Sequence, residues 1–183
     1  MMTGDNPIVI EIDPASFKAH LDNVEPWLGT TLTNQAAFRQ LLEQVAPTLR
    51  EPHFRKFVGE QAEIARRHEA EAERFFKLIG RDPSAARKRL AGVVGAAKSL
   101  GAQANASSGG AAGTWLGLQA LPPAALDAQT GFAVTEQLAL ALGLRELAEA
   151  AYDVENEQAK GMLLLKELML ESAAMSILYK LPV

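Results

Sequence analysis

The chain has 183 residues, enough for one domain with a substantial core, and nothing in its organisation demands a second. A hydrophobic share of 48% with only 6% aromatic residues favours helices packed by small and branched side chains over a sheet protein. The formal net charge of -4 offers no global positive field to nucleic acid, and the lack of cysteine excludes disulfides, thiol catalysis and thiolate metal ligands.

The first residues lack the basic start and apolar run of a secretory signal, and no uncharged apolar run approaches the roughly 20 residues of a membrane span. A cytoplasmic protein with neither membrane nor nucleic acid as partner is expected. Ile8 to Ile12 is a β-branched run, either a strand for another chain or an extended stretch along the helices. Asp13-Pro14 pairs an N-cap residue with a first-turn proline and starts a short helix to about Val24. Pro26 to Thr33 is expected to break the chain, which makes residues 1–33 an N-terminal arm and residues 34–183 the helical body. Asn34 caps the next helix, whose Ala37, Phe38, Leu41, Leu42 and Val45 share one side; Pro47 is expected to kink or re-start it, and Glu51-Pro52 separates it from the central helix.

The central stretch is Phe54 to Ile79. Apolar residues recur there at three- and four-residue steps, with no internal proline and with Gly80 after it, so it reads as a long amphipathic helix. Its apolar stripe also carries Gln61 and His68. Asp82-Pro83 repeats the capping signature and opens a locally basic helix ending near Gly101. The small-residue region 92–113 reads either as a close helix or chain contact or as a loop. A short helix from Thr114 is expected to break at Pro122-Pro123, followed by a helix from Ala124 to Leu142 that Gly143 closes. The last helix runs from Leu144 to about Tyr179. Leu147, Ala151, Val154, Gly161, Leu165, Leu168 and Met175 line its inner side, with Glu157 and Gln158 at mid-stripe. Trp27, Trp115 and the apolar tail Met175 to Val183 point to a homodimer.

Three runs carry a family resemblance: Val45 to Glu63, His68 to Pro83 and Leu138 to Lys160. They resemble the bacterial ferritin-like proteins of the YciF stress-response type over roughly residues 34–171. The resemblance implies an all-α fold, a ferritin-like antiparallel four-helix bundle with extra short helices, often dimeric and holding two metal ions between inward carboxylates and histidines. Carried over position by position, those ligands mostly fail. The first bundle helix offers only Gln35 or Ala36, and the third at best Asp127. The second keeps Glu60 and Glu63 and the last keeps Asp153 and Glu157. A ferritin-type site takes Glu-x-x-His from two helices, but Ala65 stands three before His68 and Glu155 three before Gln158.

Two readings follow. In the first, the bundle has lost its metal centre, binds no cofactor, and is a non-catalytic, stress-associated protein acting by binding or self-association. In the second, iron or manganese binds a non-standard site at Glu63, His68, Asp153 and Glu157 and supports an oxidase or iron-handling role. A small-molecule carrier needs an apolar cavity between the alanine-rich stripes.

Overall fold

Proline and glycine mark the helix ends more faithfully than they mark breaks. A computed structural model of the chain describes residues 13–86, 88 and 111–181. Every described element is helical: α1 (Pro14–Val45) with a 3₁₀ turn (Ala46–Thr48), α2 (Pro52–Leu78), α3 (Ala111–Ala141), and α4 (Arg145–Ala173), which runs into a π-helical turn (Ala174–Leu178). Asp13 caps α1 as expected, its Oδ1 accepting from the amides of Ala15 at 3.0 Å and Ser16 at 3.1 Å. Gly80 and Gly143, each at φ 68°, end α2 and α3 in the left-handed conformation that lets the next residue bond five positions back. The bonds are Arg81 N to Phe76 O at 2.8 Å and Leu144 N to Ala139 O at 2.8 Å.

Two expected breaks are absent. Residues 26–33 continue α1, so the helix passes unbroken from the expected arm into residue 34. Pro26 sits on the exposed side of the helix, so the amide it lacks is missing from the solvent side and not from the packed one. Downstream hydroxyls reinforce that turn: Thr30 donates to Pro26 O at 3.3 Å, Thr31 to Trp27 O at 3.2 Å and Thr33 to Gly29 O at 2.8 Å. Trp27 also donates from Nε1 to Gly131 O at 3.3 Å, and Leu28 and Leu32 are fully buried, so packing holds the helix through the proline. Likewise α3 runs through Pro122 and Pro123, because Leu118, Leu121, Ala125 and Ala128 form one continuous buried side. The helix expected after Asp82-Pro83 begins at Ser84, whose amide donates to Asp82 Oδ1 at 2.9 Å. Its continuation towards Gly101, and the run Ile8 to Ile12, lie outside the described residues.

The long helices close a ring in which α1 packs on α2 and α3, and α4 packs on the same two. Each neighbouring pair is antiparallel. Asp22 meets Arg81 and Gln35 meets Ala65 between α1 and α2; Thr31 meets Gly131 and Val45 meets Gly117 between α1 and α3. Arg74 meets Glu146 and Gln61 meets Gly161 between α2 and α4; Trp115 meets Met169 and Gln129 meets Glu155 between α3 and α4. Hence α2 and α3 run the same way, and α3 starts at the opposite end of the molecule from the end of α2. No described helix is long and apolar enough to cross a membrane.

The core is divided. One apolar cluster holds Phe38, Leu42, Phe54, Val58, Leu121 and Leu165; the other holds Leu28, Leu32, Phe75, Phe76, Phe132 and Leu147. On α1 the clusters change over around Gln35, on α2 around His68, on α3 around Gly131, and on α4 between Val154 and Leu165, the stretch that holds Gln158. A single polar layer thus separates two oily halves.

Candidate functional site: a polar layer around His68

The α2 stripe turns His68 inward, where its side chain is 3% exposed. Across the seam, α4 presents two consecutive residues to it. Gln158 reaches from inside, its Oε1 2.9 Å from Nδ1, and Glu157 closes from the rim, its Oε2 2.9 Å from Nε2. The oxygens satisfy a doubly protonated ring; with the Gln158 amide reversed, a neutral ring protonated at Nε2 is satisfied equally. The Phe132 ring stands edge-on to His68 at 6.3 Å. Arg67, exposed on the next position of α2, donates from Nη2 to Glu157 Oε1 at 3.0 Å. The His68 hydrogen bond, helped by the charges of His68 and Arg67, holds the Glu157 carboxyl below its ordinary 4.5 and outweighs partial burial.

Other members of the layer are also tied to protein. The fully buried Gln35 donates from Nε2 to Ala65 O at 2.9 Å, leaving its Oε1 without a partner. Thr135 donates to Gly131 O at 2.8 Å, and the single Thr31 hydroxyl proton is shared between Gly131 O and Trp27 O, each 3.2 Å away, which links α1 to α3. Gln129 donates to Glu155 Oε1 at 2.6 Å between α3 and α4.

The four residues singled out as weak metal ligands therefore have different fates. His68 and Glu157 meet directly. Asp153 lies on the rim, where it shares with Arg67, Ala70, Glu71, Val154, His68 and Glu157 a surface groove of about 350 Å³. Glu63 is elsewhere: its side chain is 70% exposed and pairs with Arg66, which also bonds Glu43 at 2.7 Å on the α1 side. Burial pushes the Glu43 carboxyl upward, but hydrogen bonds from Arg66 and Arg39 outweigh it and hold the group low. What sequence reasoning missed was Arg67 as the outer clamp and the threonine pair at Gly131. The pair has a visible signal, Gly131 with Thr135 one turn on, but its partner Thr31 emerges only from helix register.

Among the described residues no three histidine, aspartate or glutamate side chains come together as ligands of a metal ion. The donors present at this layer do not suit two hard cations. His68 has both nitrogens engaged, Glu157 is paired to Arg67, and α1 contributes a neutral amide. No protein-family model, no curated protein and no solved structure matches the chain.

Proposed function

We propose that the chain is a ferritin-like four-helix-bundle protein without a complete di-metal centre, non-catalytic, and acting by binding or self-association in the manner of the stress-associated YciF type. The observation that carries this reading is the engagement of both His68 ring nitrogens by Gln158 and Glu157 at 2.9 Å. A histidine used in this way is a joint between helices and has no lone pair left for a metal or a proton relay. The shared direction of α2 and α3 supports the ferritin-like topology, since bundles of that class have one long crossover there. The layer fixes helix register as a buried polar position does in a coiled coil.

Elemental analysis tests the reading. Protein purified without chelator, and protein loaded with iron(II) or manganese(II) and desalted, should carry far less than one metal per chain. One or more ions per chain, lost in His68→Ala and Glu157→Gln, would instead support a metal-binding protein using the groove at His68, Asp153 and Glu157.

A further inference from the structure

The most extensive interface among the described helices, between α3 and α4, is apolar on its solvent side as well as on its core side. Trp115 meets Met169 and Gln129 meets Glu155 along the seam. At roughly 100° per residue, Leu126 lies about 60° outward of Gln129, and Tyr152, Leu163 and Leu170 lie about 60° to 80° outward of Glu155. These four are 50%, 50%, 57% and 58% exposed, respectively. Met162 and Met169 are partly buried at the seam itself, soft side chains that adapt to whatever packs on them. An apolar row of this length shared by two neighbouring helices marks an interaction surface.

The charge around the row is one-sided. Asp127 and Glu136 are the only charged residues of α3, and neither has an ion-pair partner among the described residues. On α4, Asp153 and Glu167 are likewise unpaired, Glu155 bonds the neutral Gln129 amide, and Glu171 has only His53 at 4.0 Å. Against these carboxylates the face sets only Lys160 and Lys166. On the α2 side of the same helix the acids are matched, Glu146 by Arg74 and Glu157 by Arg67. A surface carrying this acidic rim repels a second copy of itself and an anionic lipid surface alike.

We propose that the outer α3–α4 seam docks an amphipathic helix of a partner protein, apolar on the side it buries and rich in lysine or arginine on its flanks. The proposal rests on the binding half of the function read above and adds the place and the chemistry of the partner. Apolar partner residues at i, i+3, i+4 and i+7 lie along Leu126, Leu163 and Leu170. The partner's cations meet Asp127 on the α3 flank and Asp153, Glu167 and Glu171 on the α4 flank. The opposite charges steer encounter and fix register, while the apolar row supplies most of the affinity.

The probe is a labelled synthetic helix of about five turns, with leucine at i, i+3, i+4 and i+7 and lysine elsewhere, compared with the same peptide carrying glutamate for lysine. Fluorescence anisotropy should show the lysine peptide bound about tenfold more tightly than the glutamate peptide. Leu163→Glu with Leu170→Glu adds negative charge yet should weaken the lysine peptide about tenfold, because the apolar row is lost. Asp127→Lys with Glu167→Lys should weaken it several-fold, and the same charge change at Glu60 and Glu63 on α2 should leave it unchanged. Circular dichroism verifies that each exposed variant is folded. Equal affinity for the two peptides, or equal losses in the rim and α2 variants, overturns the proposal. Self-association abolished by Leu163→Glu gives the face to a second copy and overturns it while the self-association reading stands. Phosphatidylcholine vesicles bound through the same leucines give the face to lipid and overturn it likewise. Failure to bind the lysine peptide overturns the proposal alone; the reading of the bundle falls only to bound metal.

Discussion

His68 Nε2 lies 2.9 Å from Glu157 Oε2 while its Nδ1 lies 2.9 Å from Gln158 Oε1, so one ring ties α2 to α4 through both nitrogens. These two helices share a less extensive interface than α3 and α4. The joint matters more where apolar contact is thin.

Replacing His68 by alanine leaves the buried Gln158 without its partner and opens a cavity beside Phe132. A loss of about 3 kcal/mol is expected, of which an orphaned buried polar group accounts for roughly 1–3 kcal/mol. The double variant His68→Leu with Gln158→Leu removes both partners and should lose less than either single leucine variant. Urea denaturation of the four proteins measures this cycle.

Acid should weaken the fold through Glu157 and Glu43. Both carboxyls are held below their ordinary 4.5 in the folded chain, so their stabilisation is fully present above that pH and is lost as pH falls below it. Denaturation midpoints should therefore drop from pH 5 towards pH 3. Glu157→Gln should show a shallower drop than the parent chain, and an equal slope would remove Glu157 from the account.

Two glycines at helix crossings should respond oppositely to alanine. A Cβ on Gly131 would meet Thr31 at 3.1 Å and its Cα at 3.2 Å, so the α1 and α3 backbones must part. Gly131→Ala is expected to destabilise by about 1–2 kcal/mol, the better helix propensity notwithstanding. A Cβ on Gly161 would meet only the Gln61 side chain, nearest at its terminal Oε1, 2.5 Å away, which can swing aside. Gly161→Ala should be neutral or stabilising by up to about 1 kcal/mol. Thermal melts separate the two outcomes.

Pro26→Ala should stabilise the protein. It restores a backbone hydrogen bond on the exposed side of α1, worth about 3 kcal/mol in a helix interior, against about 1 kcal/mol from the freer unfolded chain. A net gain near 2 kcal/mol is expected in the same denaturation assay.

The helix termini were legible because local chemistry decides them: Asp13 needs only two nearby amides, and Gly80 and Gly143 only a left-handed turn. The prolines misled because their effect depends on what a face packs against. Pro26 is tolerated, at a cost, where it points at water, because Leu28 and Leu32 hold the other side of the helix in the core. At the candidate site, His68, Glu157 and Gln158 stood out as polar residues on apolar stripes, yet their partnership depends on the register of α2 against α4. Glu63 was avoidable: five residues before His68 places it about 140° around the helix, on another face.

The account stands on the state of one imidazole, and NMR of the ring nitrogens observes it directly. The chain has three histidines, and exposed His20 and His53 serve as internal controls. In protein carrying isotopically labelled histidine, the His68 ring signals should report hydrogen bonds at both nitrogens and remain sharp after one equivalent of manganese(II). Selective broadening of His68 ahead of His20 and His53 would place the metal at that ring and contradict the account.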